Sequence, residues 1–445
     1  MRLTRDTLPV MEEMMHVGIC IYDTAEGRVG GPIAWALDFV PFLATQFQTT
    51  ALVLRPGGFS GSNVVDLLSK RGIRCVSLDT NESGLLDCQV EWIYEQCRRL
   101  GIVILIANLV LPGFYAAEGL RRAGVVTVGV LHSHPGYDPY YRDLVDVFSC
   151  AGSVAVDCMV AVSRQIANCV ELHSSQCLRV EVIPCGTREV TVTCDQDTDN
   201  LQMVYAGRIV EFAKRVHATT DAMLMASREL KVSGTIYGDG DEKEWVCTRL
   251  RNQSKITYGG FVPPSSIQSV LCQYQIFVLL SDFEGLPISL VEAMACGLVP
   301  VALSAAPGMA EVIVNGENGI LVADRSESFV EAIRMLQDVE LRKKLSEGAR
   351  KTIAQHYLHS VTFSKWRELL VQLAPTAICP QKIPRKCVIK NRGTRFCDYP
   401  PNRPTAAVLA KQWLLQNWYS LKNAIRPRAR LRSLMCRSRS PKKLE

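Results

Sequence analysis

Two carboxylates eight residues apart, Glu284 and Glu292, sit in a segment otherwise free of charge, EGLPISLVEAMACG. The string SDFE at 281–284 follows an apolar run at 276–280, as a polar loop follows a strand. Gly285 permits a tight turn, and Pro287 suits the first turn of a helix, where its missing N–H costs nothing. A helix over 288–296 that stops at Gly297, a natural left-handed cap, would present the amides around Gly285, Leu286 and Ile288 to whatever lies above the strand end. A helix start of this kind carries unpaired N–H groups and partial positive charge, which suit a phosphate or a polar sugar. Glu292 falls among Ile288, Leu290, Val291 and Met294. A carboxylate in such surroundings needs hydrogen bonds. Ligand hydroxyls would serve; so would a neighbouring loop or a buried arginine.

Three further groups could share that chemistry. LQMVYAGRIVEFAKRV at 201–216 reads as a strand that ends in Gly207-Arg208, with Lys214 six residues beyond. A guanidinium fork and an ammonium at a strand mouth suit a diphosphate, although cations of this kind are usually solvated on a surface. EGRVGGP at 26–32 places Gly30 and Gly31 directly after the first strand, where the missing Cβ atoms allow close approach to a ligand; a plain strand-to-helix turn would look the same. His132-Ser133-His134 follows another strand. A histidine there can bond a sugar hydroxyl or assist proton traffic, or be a satisfied loop residue.

Positioning these groups requires a regular frame. Apolar runs at 17–22, 51–54, 102–107, 125–131, 159–162 and 180–184 read as strands buried on both faces. Helical stretches at 31–45, 64–71, 90–100 and 140–150 separate them, and the run at 101–117 reads as a strand plus a loop. After a polar boundary at 186–200 the alternation restarts, with strands at 202–205, 234–237, 256–258, 276–280, 299–303 and 320–322. Helices fall near 215–228, 241–251, 265–272, 287–296, 307–314 and 326–337, and two more near 339–356 and 360–373. Repeated β-α-β predicts an α/β chain of two tandem doubly wound Rossmann-like domains facing across a cleft. The expected division is a first domain at 1–190, a second at 200–358, a helix at 359–375 packing on the body, and a basic tail at 376–445, partly helical or disordered.

Composition is that of an ordinary globular protein. The 445 residues are 48% hydrophobic and 21% charged, which excludes collagen-like, coiled-coil and wholly disordered chains. The 17 cysteines are odd in number and form no Cys-x-x-Cys, as expected of core thiols in a reducing compartment. The start, MRLTRDTLPVMEEMM, has no secretory pattern, and no stretch in the first half reaches the ~18–20 clean apolar residues of a membrane span. The net charge of +6 conceals a tail of 17 Lys/Arg and 2 Asp/Glu; the remainder carries −9. The expected location is cytoplasmic.

Taken together, EGLPISLVEAMACGLVPV with its Glu-x7-Glu spacing, NGENGILV at 315–322 and AGRIVEFAKR at 206–215 resemble the retaining glycosyltransferases of family 4, with the two-domain GT-B fold. GG at 30–31, VAVS at 160–163 and VIPCG at 182–186 match more loosely. The resemblance spans about 16–375 and implies a nucleoside-diphosphate-sugar donor held mainly by the second domain. It implies that Arg208 and Lys214 bind the diphosphate as it leaves, that Glu284 bonds the transferred sugar, and that Glu292 bonds the ribose. The segment Gly285, Leu286 and Pro287 would touch sugar or phosphate, with Gly30 and Gly31 lining the phosphate side. His132, more than His134, fits the family's first-domain histidine. No cofactor or metal is implied, since two side-chain cations stand in for one. AAPG at 305–308 departs from the Gly-Gly pair that often precedes the third glutamate, here Glu311.

Other readings predict different behaviour. A metal-dependent transferase would use Asp-x-Asp, which occurs at Asp239-Gly-Asp241 and Asp195-Gln-Asp197, the first of them better read as a YGDG turn. A nucleotide-sugar epimerase would act without an acceptor. A catalytically degenerate binding protein would have no need of Arg208, Lys214, Glu284 and Glu292. In the tail, Trp413, Leu414, Trp418 and Leu421 recur at helical spacing before eight Lys/Arg at 426–443. That pairing suits peripheral contact with an anionic membrane surface, or a helix packed on the body. No nucleic-acid module is present.

Overall fold

A computed structural model describes residues 15–23, 30–55, 63–80, 86–149, 156–174, 178–306, 308–374 and 382–387. The expectations for the tail beyond 387, for the loop before Gly30 and for Pro307 lie outside the described residues.

The first half builds β1 (His16–Tyr22), α1 (Gly31–Gln46), β2 (Gln48–Arg55), α2 (Asn63–Ser69), β3 (Arg74–Asp79), α3 (Leu86–Leu100) and β4 (Ile104–Asn108). It continues with α4 (Leu111–Arg122), β5 (Val126–Leu131), α5 (Pro139–Phe148), β6 (Cys158–Ala161), α6 (Arg164–His173) and β7 (Arg179–Val182). The strands form one sheet in the order β3-β2-β1-β4-β5-β6-β7, parallel at every pairing.

The second half builds β8 (Leu201–Ala206), α7 (Val216–Glu229), β9 (Val232–Tyr237), α8 (Lys243–Leu250), β10 (Ile256–Gly260), α9 (Ile267–Leu271) and β11 (Ile276–Leu279). Then come α10 (Ile288–Ala295), β12 (Val299–Leu303), α11 (Met309–Val312), β13 (Ile320–Val322), α12 (Glu327–Met335), α13 (Val339–His356) and α14 (His359–Gln372). Its sheet runs β10-β9-β8-β11-β12-β13, again parallel.

Each sheet reverses its strand order once, between β1 and β4 and between β8 and β11. Crevices at such reversals, outside the carboxyl ends of the strands, are where α/β sheets hold ligands. Central strands such as β4, ILIAN, and β12, VPVAL, are buried throughout because helices cover both faces.

Three elements depart from the sequence reading. The run at 101–117 is a strand followed by α4 rather than by a loop. Pro112 lies in the first turn of that helix, where a proline is tolerated. The edge strand β3 lacks any continuous apolar run, and α6 has only a narrow buried stripe of Ile166, Ala167 and Val170.

The chain crosses between the halves twice. Residues 183–200 lead out of the first sheet. After α13 the chain returns beside them: the Thr187 amide donates to Tyr357 O at 2.8 Å, and the His359 amide to Thr187 O at 2.8 Å. The helix α14 then packs on α1, with Trp366 centred 4.9 Å from Phe39 and 5.7 Å from Trp35. Trp366 is 1% exposed. Aromatic contacts of this kind add about 0.5–1.5 kcal/mol each beyond buried area, so they fix α1, and with it Gly30 and Gly31, to the returning chain. Among the described residues no helix is long and apolar enough to cross a membrane.

Candidate active site

The two reversals face each other. On the second sheet, β8 ends at Ala206 and the chain turns through Gly207 and Arg208. The YGDG turn after β9 supports that corner: the Ile209 amide donates to Asp239 O at 2.9 Å. A Cβ on Gly238 would fall 1.8 Å from Gly207 O, so only glycine lets the turn close on Arg208's neighbour. Tyr205 donates its hydroxyl to Arg208 O at 2.8 Å. Burial raises the Tyr205 pKa, the Glu284 charge adds to the rise, and Arg208 opposes it, so all three groups lie within electrostatic reach.

Lys214 meets Glu284 directly. Its Nζ lies 2.5 Å from Glu284 Oε1, with only 11% and 10% of the two side chains exposed. Ser281 donates to the same Oε1 at 2.6 Å. The loop that presents Lys214 is strained, with Ala213 at φ 64° and Arg215 at φ 49°. Such conformations persist only where the surroundings hold them. Here Arg215 pairs with Asp282 at 2.5 Å, Arg325 pairs with the other oxygen of Asp282 at 2.5 Å, and the Asp282 amide donates to Ala213 O at 2.7 Å. The strand end at β11 and the lysine loop after β8 are therefore one unit.

Beyond Glu284, Pro287 stands just before α10 and accepts from the Leu290 amide at 3.0 Å. A helix start leaves its first amides without acceptors of its own. Gly285 is pressed against the first domain: a Cβ there would lie 2.1 Å from His132 O. Across the cleft, a Cβ on Gly31 would meet Ile288 Cδ1 at 3.4 Å, whereas one on Gly30 would meet nothing within 4 Å. Gly31 thus faces the start of α10.

Glu292 lies one helical turn beyond Ile288 on the same face. It lines a cleft with Trp35, Asp38, Arg188, Gln268 and His359. Burial pushes its pKa up to about 8; Arg188 pulls it down and Asp38 adds to the rise. Arg188 is itself committed to Asp38, with its Nε at 3.0 Å from Oδ2. His359 is held neutral, its pKa lowered to about 4 chiefly by burial.

The two histidines separate. His132 is 9% exposed; its Nε2 lies 2.7 Å from Asn108 Oδ1, and its Nδ1 faces Cys185 Sγ at 3.5 Å. Burial lowers its pKa to about 3, so the ring is neutral. His134 accepts from the Gly136 amide at 3.0 Å and lies 5.1 Å from Tyr137, whose ring stacks on Phe283. The structure therefore brings Lys214, Glu284 and Arg208 together and sets Gly31 against Ile288 of α10 and the His132 carbonyl against Gly285. His134 stands at the rim and Glu292 in the adjoining cleft.

Sequence reasoning passed over Asn108, Asp138, Ser281 and Asp282. Asp138 caps α5 through the Tyr140 amide at 3.1 Å and is close enough to Arg208 for that charge to lower its pKa against the effect of burial. For Asn108, Ser281 and Asp282 a polar residue at a strand's carboxyl end was the available signal, and for Asp138 the Asp-Pro step that opens α5. Among the described residues, no group of three or more His, Cys, Asp or Glu is arranged to hold a metal ion.

Residues 195–352 match the model of the family described as Glycosyl transferases group 1. The N-acetyl-alpha-D-glucosaminyl L-malate synthase of Bacillus anthracis is 27% identical over 161 residues, 35% of this chain and 42% of that protein. The GtfA subunit of a UDP-N-acetylglucosamine--peptide N-acetylglucosaminyltransferase from Streptococcus gordonii is 22% identical over 315 residues, 68% of this chain and 58% of that protein. The chain thus spans less than two thirds of the length of either relative. Among solved structures, pneumococcal GtfA in complex with UDP and GlcNAc superposes with a TM-score of 0.66 at 13% identity, over 81% of this chain and 99% of that one. Anabaena Alr3699/HepE in complex with UDP and glucose gives 0.61 at 18%, over 80% and 100%. The fold is GT-B: two Rossmann-like domains with parallel sheets.

Proposed function

We propose that this protein is a retaining glycosyltransferase of family 4 type. It moves a sugar from a nucleoside-diphosphate donor to a hydroxyl acceptor and needs no metal. The observation that carries the reading is the Lys214–Glu284 pair, buried at the carboxyl edge of the second sheet within electrostatic reach of Arg208.

Cleavage of the sugar–phosphate bond builds negative charge on the departing diphosphate and positive charge on the anomeric carbon. Arg208, Lys214 and the first amides of α10 stabilise the former in a site shielded from water. Glu284 accepts from the hydroxyls of the transferred sugar. Glu292, protonated at neutral pH by its surroundings, can donate to one ribose hydroxyl and accept from the other. A phosphate oxygen of the leaving group takes the acceptor's proton, so attack occurs on the face the diphosphate leaves. His132, neutral and tied to Asn108, acts by hydrogen bonding and by shaping the wall against Gly285, with no proton transfer of its own. The UDP complexes of the structural neighbours make UDP-sugars the first donors to try.

The test is binding of UDP and UDP-sugars by calorimetry, followed by transfer to a panel of hydroxyl acceptors with and without a chelator. Glu284→Gln should retain UDP and lose turnover, and the product should keep the donor's anomeric configuration. Absence of binding by any nucleoside diphosphate would overturn the reading; release of an epimer without acceptor would replace it with an epimerase.

A further inference from the structure

The helix α6 of the first domain begins in an unusual way. Ser163 stands at its N-cap, the residue type that normally accepts from the second or third amide of the helix. Ser163 is 2% exposed, yet it makes no capping bond and its Oγ has no hydrogen-bond partner. The second domain supplies the cap. Glu311 accepts from the Arg164 amide at 2.7 Å on Oε2 and from the Gln165 amide at 2.6 Å on Oε1. Gln165 returns the contact: its Oε1 accepts from the Gly308 amide at 2.9 Å. Three hydrogen bonds, two of them to a carboxylate, thus cross between domains within four residues of the second.

Their location gives them a purpose. A Cβ on Gly308 would lie 3.0 Å from both Glu284 O and Gly285 O. Gly308, which Gln165 holds, therefore rests on the backbone of the proposed sugar-binding carboxylate. At its other end Glu311 O accepts from the Tyr357 hydroxyl at 3.2 Å, next to the second crossover. The short α11 runs from the crossover to the site, and the first domain grips it from the side.

We propose that Glu311 and Gln165 are positioning residues. They seat Gly308 against the backbone of Glu284 only when the two domains are closed, and Ser163 is the substitute cap that α6 takes up when Glu311 withdraws. In its kinetic consequences this rests on the glycosyltransferase reading. It also gives the AAPG departure a role, because the Gly308 amide is engaged by Gln165 rather than by a phosphate. Domain closure and site geometry are then one event, and opening leaves α6 capped.

The experiment pairs hydrogen exchange of peptides covering 164–170 and 308–312 with steady-state kinetics on a UDP-sugar, using the full chain. Glu311→Ala still has Ser163 to cap α6, so it should fold. It should lose protection in both peptides, and its kcat should fall by about tenfold or more, as expected for losing bonds to a charged group. Its UDP affinity should stay within about twofold, because Arg208 and Lys214 are untouched. Glu311→Gln, with one acceptor oxygen for two amides, should fall between. Adding Ser163→Ala to Glu311→Ala should lower the melting temperature further, whereas Ser163→Ala alone should leave kcat unchanged. Wild-type protein whose Arg164–Gln165 peptide exchanges without protection, or Glu311→Ala that loses protection with kcat intact, would overturn the proposal. Failure of the underlying enzymatic reading looks different, since there the wild type itself would not bind UDP.

Discussion

Glu292 offers a measurement that needs no substrate. Its pKa is raised from an ordinary 4.5 to about 8, mainly by burial. The folded chain therefore keeps a proton on Glu292 through a range in which the unfolded chain has lost it. Stability from this group is fully present below about pH 4.5 and declines as pH rises to about 8, by about 1.36 kcal/mol for each pH unit climbed between those limits. Between pH 5 and pH 8 the loss is about 3.5 kcal/mol, a little under three full units because the titration levels off at each end. Glu292→Gln keeps the shape and removes the titration, so the other ionisable groups cancel when the two proteins are compared. The variant's advantage in melting temperature should widen by about 4 °C from pH 5 to pH 8, from the entropy of unfolding of a chain this long. The groups facing the carboxyl are Asp38, Arg188 and His359. His359 stays neutral across this window, its pKa being about 4. Calorimetry of both proteins at four pH values makes the comparison. A gap that stays constant, or that widens toward acid, refutes the raised pKa of Glu292 in its cleft with Asp38, Arg188 and His359.

Gly285→Ala places a Cβ 2.1 Å from the His132 carbonyl, so the domains must part or the loop must shift. Transfer should fall by about tenfold or more while UDP binding stays within a few fold; full turnover would show that Gly285 does not seat on the first domain during the reaction. Lys214→Met removes the ammonium and keeps its stem. UDP affinity should drop by about 10- to 150-fold, the range for a hydrogen bond to a charged group, and titration calorimetry at fixed ionic strength reads it. An unchanged affinity would remove Lys214 from the diphosphate site.

Much of the second domain was legible because its strands are short, apolar and punctuated. All six, β8 to β13, lie where alternation of apolar runs and helical stretches put them, as does α10 between Pro287 and Gly297. The first domain was harder, for identifiable reasons. β3 is an edge strand whose six residues are all partly or fully exposed, so it gives no apolar run. The start of α4 is hidden by Pro112 and by Gly113, whose absent Cβ would lie 3.1 Å from Ala107 Cβ. Those residues look like loop in sequence, and in the fold they are close packing. The site divides similarly. Glu284, Lys214 and Arg208 could be named from charge at strand ends, because local topology alone brings them near one another. The partner of Glu311 could not, since the Arg164 amide lies 147 residues away and the bond exists only once both domains are in place.

The strain around Lys214 argues for function independently of any likeness to other proteins. Two non-glycine residues flanking it, Ala213 and Arg215, hold left-handed backbone, at about 1–3 kcal/mol each. A lysine needed only for solubility would not require that strain, because its long stem reaches solvent from any backbone. What the strained loop secures is direction. It keeps the ammonium on Glu284 while the Arg215–Asp282–Arg325 ties stop the loop from relaxing. An ammonium has three donors. With one given to Glu284, two are left for an anion arriving beside Arg208. A diphosphate bound there would share Lys214 with Glu284, so in the proposed reaction the same lysine would hold the leaving group and keep the Glu284 carboxylate aimed at the carbon it leaves.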